Sequence, residues 1–174
     1  GLSQVKGLEQ NTINSILKNR QKKPYTSLID FLSRINIDKS GAEALIRCGA
    51  LDGLNSSRPE MLWVLKIFLK QKKKHSRLPA TPLKLEQYTL QEKLAAELEH
   101  LNLTVSDHLL TLYDINDKNM VSARELFRFN GRVVTLAGWL VAAKQTRTVK
   151  NQLMKFMTLG DATSLFEVVL FPKA

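Results

Sequence analysis

Two glycine-containing turns in the first third of the chain bring together residue types suited to holding a phosphate. The first is Val5-Lys6-Gly7-Leu8-Glu9, ahead of the run Gln10–Arg20, and the second is Ile46-Arg47-Cys48-Gly49-Ala50-Leu51. Glycine lets the backbone turn tightly and approach a ligand. The free N–H groups of a following helix N-terminus, with the helix dipole behind them, favour an anion. Lys6, Lys18, Arg20, Arg47 and Arg58 stand close to these turns in sequence. Either turn taken alone reads more readily as a helix C-cap. Two of similar type in one basic region point to a backbone of phosphates.

Charge placement points the same way. The net charge is +10. Residues 1–80 carry 15 Lys and Arg against 6 Asp and Glu, a net of +9. Residues 81–130 carry 5 against 8, and residues 131–174 carry 6 against 2. Two basic blocks thus flank an acidic connector, a pattern that a polyanionic partner explains directly and that charge alone does not separate from a merely Lys-rich soluble surface.

Other chemistries find little support. Two-metal phosphoryl transfer needs gathered carboxylates, and no Asp-x-Asp pair occurs; most acidic residues fall at helix starts or in the connector. His75, His100 and His108 lack metal-ligand spacing, Cys48 is the single cysteine, and there is no Walker-type loop. A hydrolase would require Asp107, His108, Asp114 and Asp117 to converge on a metal. No catalytic residue, metal site or cofactor is therefore expected in this chain. No apolar run approaches the ~20 residues of a membrane span. The start on Gly1-Leu2-Ser3 is expected of a piece cut from a longer protein, in a reducing cytoplasmic setting.

The elements that must position the turns are short helices. Capping boxes are expected at Ser40 with Glu43, Ser57 with Glu60, Thr89 with Glu92 and Ser122 with Glu125, with Ser27 and Asp30 a weaker version. Apolar residues follow at helical spacing: Ile13, Ile16 and Leu17; Leu28, Phe31, Leu32 and Ile35; Leu62, Leu65, Phe68 and Leu69; Leu90, Leu94, Leu98 and Leu101. The stretch 71–88, with Lys72–Lys74, Pro79 and Pro82, reads as a linker. After Gly131 the period changes to two, and strands are expected at Arg132–Val141, Leu153–Leu159 and Leu165–Phe171. The faces bearing Met154, Phe156, Phe166 and Val168 are expected inside.

The residues also resemble a family. Gly7-Leu8 with Ile13, Ile16 and Arg20, then Tyr25-Thr26-Ser27-Leu28-Ile29-Asp30-Phe31 and Arg34, then Ala44 to Asp52 with Ser57-Arg58 and Leu62, is similar to one region of bacterial DNA polymerase III alpha subunits. The likeness continues through Leu94, Glu97 and Leu101-Asn102-Leu103. It resumes at Gly131-Arg132-Val133, Ala137-Gly138, Met154 to Leu159, Asp161 and Val168 to Pro172. It implies an α+β chain, an all-α tandem helix-hairpin-helix domain followed by a partial OB-type β-barrel. The expected boundaries are 1–75 for the hairpins, 76–130 for a linker and helical connector, and 131–174 for the start of the barrel.

The resemblance further implies a parent DNA-directed DNA polymerase, replicative or error-prone, with DNA as partner and other replisome or translesion subunits nearby. Duplex backbone contacts are expected from Lys6, Gly7, Leu8, Arg20, Arg47, Gly49, Ala50 and Arg58. Glu9 stands where such a hairpin usually has its second glycine, so the Gly49 turn is expected to be the stronger contact. Single-stranded template is expected at Lys144, Arg147 and Lys150 in the loop after the first strand, with Lys155 and with Trp139 as a stacking ring. The turn at Lys150-Asn151-Gln152 lacks the family's frequent glycine, and Ser106-Asp107-His108-Leu109 replaces its usual Gly-x-His-Pro. A stand-alone nucleic-acid adaptor and a module for structured RNA are the competing readings.

Overall fold

The computed structural model describes residues 1–54, 56–74, 84–115 and 119–172, with side chains except at 72–74. The expected linker prolines, His75 and Asp117 lie outside the described residues. The chain forms two compact units, Gly1–Ser106 and Asp107–Ala174. The boundary therefore falls well beyond residue 75, and the expected helical connector is divided between the two.

The first unit is helical: α1 (Gln10–Lys22), α2 (Leu28–Arg34), α3 (Lys39–Arg47), α4 (Arg58–Lys74) and α5 (Leu90–Leu101). The starts of α2 to α5 each have a side-chain cap. Ser27 Oγ accepts from Asp30 N at 3.1 Å, while the Asp30 carboxylate reaches back to Thr26 N. Ser57 and Glu60 exchange bonds at α4, and Thr89 and Glu92 form a complete capping box at α5. The expected box at Ser40 is displaced, because Asp38 caps α3 by accepting from Gly41 N at 2.9 Å. An Asp two residues earlier is an equally good acceptor.

The helices close over one core. Phe31, Leu45, Ile46, Met61 and Leu65 are fully buried, joined by Ile16, Leu28, Ile35 and Leu101. Each such side chain contributes about 1.5–3 kcal/mol on burial. Arg34 closes the end of α1, donating to the carbonyls of Asn19 (2.6 Å), Lys23 (2.7 Å) and Pro24 (3.3 Å). Its guanidinium lies over the Tyr25 ring, 4.5 Å from the centroid, and Tyr25 packs edge-on to Phe31. Among the described residues no helix is long and apolar enough to cross a membrane.

The second unit is an antiparallel meander of β1 (Trp139–Arg147), β2 (Leu153–Gly160) and β3 (Leu165–Leu170), in that spatial order. The expected first strand is shifted: 132–138 stay outside the ladder apart from one bridge between Thr135 and Met120, and pairing runs on to Arg147. The turn that follows is closed by Thr148 N to Gln152 O at 2.8 Å, and Asn151 takes the left-handed φ of 61°. Asparagine tolerates that region, so no glycine is needed there. A bulge at Val141 interrupts the β1–β2 register, with Leu140 opposite Leu159 and Ala142 opposite Thr158. Gly138 packs so closely on Phe166 and Leu159 that a Cβ would fall 2.8 Å from the Leu159 Cβ.

The helix announced by the expected capping box at Ser122 and Glu125 is instead a short 3-10 segment, Ala123–Phe129. Ser122 Oγ bonds Glu125 side chain to side chain rather than capping it. Ala123 N donates instead to Asp161 in the β2–β3 turn, at 2.6 Å. Asp161 also accepts from Thr163 N, Thr163 Oγ1 and Ser164 N. Partial burial works against its charge, but these donors outweigh it and hold the carboxyl at about 2.

Candidate nucleic-acid interface

The Gly7 turn opens directly into α1. Gly7 has a φ of +75°, is exposed, and has open space around the position a Cβ would take. Glu9 is the N-cap residue of α1 yet makes no side-chain cap bond, and the first turn of α1 carries no acidic residue. Its early N–H groups are therefore left for an external acceptor. Lys6 is exposed beside the turn, and Leu8 packs against the core as an anchor.

The Gly49 turn is built differently. Gly49, with a φ of +80°, ends α3: its N–H donates to Ile46 O at 3.1 Å, and Ala50 N donates to Leu45 O at 3.0 Å. This is a glycine-capped helix end, and it consumes the backbone donors of Gly49 and Ala50. Only a 3-10 turn, Asp52–Leu54, follows before the next α-helix starts at Arg58. The expected ranking of the two turns is thus reversed in backbone terms: Lys6 N and Leu8 N are spent on His100 O and Val5 O, but the α1 terminus after Gly7 has no side-chain cap, whereas the Gly49 turn spends its donors on the helix it ends.

Arg58 corrects a further expectation. Only 2% of it is exposed. Its Nη2 lies 2.7 Å from Asp52 Oδ2 and 3.3 Å from Glu97 Oε1, Nε bonds both Asp52 oxygens, and Nη1 donates to Arg47 O at 3.0 Å. Burial opposes its charge, but the bonds to Asp52 and Glu97 outweigh that and raise its pKa. Buried and engaged through four of its five N–H groups, this guanidinium is not presented to a phosphate. Glu97, 1% exposed, accepts in addition from Val105 N, Ser106 N and Ser106 Oγ. Burial works against its carboxylate, and those donors with Arg58 hold it below its usual range.

The remaining predicted residues partly converge. A groove of about 650 Å³ is lined by Val5, Gln10, Arg20, Gly49, Ala50 and Leu101, among others. Arg20 is exposed and Arg47 half-buried. The structure thus brings Arg20, Gly49 and Ala50 to one groove, with Val5 placing Lys6 and Gly7 next in the chain.

In the second unit the predicted cations separate. Lys144 and Arg147 lie in β1, not in the loop, because the strand extends further than its apolar run. Opposed residues of antiparallel strands share a face. The register sets Lys144 opposite Phe156, and Phe156 opposite Val169, on one face; it sets Gln145 opposite Lys155 and Met157 opposite Val168 on the other. The second face carries Phe166, which is buried. Phe156, expected inside with Phe166, therefore faces away from it and is 41% exposed, as is Trp139. Trp139, Lys144 and Phe156 share the open face; Lys155 and Arg147 share the other. Arg147 Nη1 is held by Asn151 O and Oδ1 (3.1 and 3.0 Å), and Lys150 is exposed in the turn.

Sequence reasoning missed Phe156 as a surface ring and Arg34 and Glu97 as organising side chains. The cross-strand register could not be read from one strand's alternation. Glu97 stands in an apolar stripe, between Leu94 and Leu101, which was a usable signal. Among the described residues no group of His, Cys, Asp and Glu could hold a metal ion.

Residues 1–61 match the helix-hairpin-helix motif family. The chain is 28% identical over 195 residues to the DNA polymerase III subunit alpha of Bacillus subtilis (strain 168), covering 99% of this chain and 17% of that protein. It is 30% identical over 183 residues to the DNA polymerase III subunit alpha of Aquifex aeolicus (strain VF5), covering 99% and 15%. It is 28% identical over 176 residues to the error-prone DNA polymerase of Pseudomonas savastanoi pv. phaseolicola (strain 1448A / Race 6), covering 98% and 17%. The chain thus spans less than a fifth of the length of each of these relatives.

Proposed function

We propose that this chain, related over nearly its whole length to DNA polymerase III alpha subunits and error-prone DNA polymerases, is a DNA-holding region of such a polymerase. Its helical unit grips duplex DNA through backbone phosphates. Its sheet holds single-stranded template during replication or translesion synthesis, and nucleotide transfer belongs to other parts of the polymerase.

The observation that carries the reading is the Gly7 turn. An open left-handed glycine runs straight into an uncapped helix N-terminus, beside Lys6, within the segment that matches the helix-hairpin-helix motif. Such a terminus offers both donors and a favourable dipole to a phosphate. For the sheet, support comes from two exposed rings and a cation on one face. That is the combination on which bases stack while the backbone is neutralised.

The test is a salt titration of fluorescence anisotropy with duplex, single-stranded and primer-template DNA. Phosphate-dominated binding weakens steeply as salt rises, with a slope of roughly 0.9 per neutralised phosphate on duplex. Absence of DNA affinity at low salt would sink the proposal.

A further inference from the structure

We infer that α5 is a brace that fixes both glycine turns at once, with Glu97 and Arg58 as positioning residues for the duplex contacts; this rests on the proposed duplex reading. Two separate links carry the inference. At its C-terminal end, the carbonyl of His100 accepts from Lys6 N at 2.9 Å, one residue before Gly7. One turn earlier, Glu97 holds Arg58 at 3.3 Å, and Arg58 in turn holds Asp52 and the Arg47 carbonyl on either side of Gly49. Leu101 anchors the same helix end in the core and lines the groove that Gly49 and Ala50 also line.

The turns are otherwise far apart in sequence, and each is stiffened locally. A double-stranded backbone offers phosphates at fixed spacing, so the α1 terminus after Gly7 and the Arg47 side chain before Gly49 bind it jointly only if their separation is fixed too. Glu97 supplies that constraint without touching DNA. Its carboxylate is held in turn by Val105 N and Ser106 N, at 2.7 and 2.9 Å, so the brace includes the residues that follow α5.

Glu97→Gln in the full chain tests this. Duplex affinity at low salt should fall about tenfold, as one phosphate contact is lost when the turns are no longer held at a fixed separation. The salt slope should become shallower by roughly one, the share of one lost phosphate. An affinity loss that appears only as a smaller active fraction, with the slope unchanged, marks Glu97 as merely structural and overturns the inference. So does no loss at all. If Glu97→Gln does not fold, Ser106→Ala, which removes one bond to Glu97, takes its place with the same readings. Amide spectra separate this inference from its premise. The substitution should shift Lys6 and Gly7 together with Gly49 and Ala50; a shift confined to Gly49 and Ala50 overturns the brace. Failure of the unaltered chain to bind duplex overturns the premise instead.

Discussion

The Arg58 guanidinium occupies the space that a side chain at Gly49 would need: a Cβ there would lie 2.8 Å from Arg58 Cζ and 2.9 Å from Asp52 Oδ2. Gly49 is therefore required twice, for its left-handed φ and for the ion pair beside it. Gly7 shares the φ but has open space. Gly7→Ala should cost only the left-handed penalty of about 1–2 kcal/mol. Gly49→Ala should cost clearly more in urea unfolding; equal costs would refute the steric part.

The two arginines near this turn should behave oppositely. Arg58→Ala leaves Glu97 buried without its cation, which typically costs about 3–5 kcal/mol of stability. Arg47→Ala, at a half-buried position, should cost less than about 1 kcal/mol while lowering duplex affinity. Chemical denaturation and anisotropy on both variants check the order, and a stable Arg58→Ala domain would contradict the ion-pair account.

Acid should weaken each unit through depressed carboxylates. A folded pKa below the unfolded value stabilises above the unfolded value and stops doing so as pH falls through the folded one. For Asp161 that window runs from 3.8 down to about 2. For Glu97 and Glu60, both lowered, it lies below 4.5. Urea midpoints measured across pH 5 to about 2 should fall, and Asp161→Asn should flatten that dependence in the second unit alone.

The open face of the sheet should be the one that meets single strands. Phe156→Ala should weaken single-strand binding by about 1–3 kcal/mol, the worth of one stacked base. Lys144→Ala should lower the salt slope, while Lys155→Ala leaves both nearly unchanged. Equal effects from Lys144 and Lys155 would remove the assignment to one face.

Glu9 offers a gain rather than a loss. Its exposed carboxylate caps nothing and stands at the end of α1 proposed to face phosphate. Glu9→Gln should tighten duplex binding several-fold at low salt and less at high salt, as screening of about 10 Å at 0.1 M requires. Unchanged affinity would place the DNA away from this turn.

Local signals carried much of this fold. Ser57 with Glu60 and Thr89 with Glu92 announced their helices, and the alternation from Leu153 and from Leu165 announced two strands, because these depend on residues a few positions apart. What depends on partners distant in sequence was hidden. Arg58 read as a free cation because its pairing with Asp52 runs back across the turn between α3 and α4, and its second partner, Glu97, lies far along the chain. Phe156 read as interior because alternation sorts a strand into two faces without saying which face meets Phe166. Gly49 looked like the better phosphate turn because Glu9 is visible beside Gly7 in the sequence, whereas the use of the Gly49 N–H by the Ile46 carbonyl is not.

The bulge at Val141 bears on how the sheet tolerates insertions and deletions. Trp139 and Leu140 pair with Gly160 and Leu159, and Ala142 onward pairs with Thr158 onward, so residue 141 is surplus to the ladder. Removing it would leave every remaining pair and every remaining face as they are. Strand length can therefore differ by one residue at this place among related chains while Trp139, Lys144 and Phe156 keep their common side.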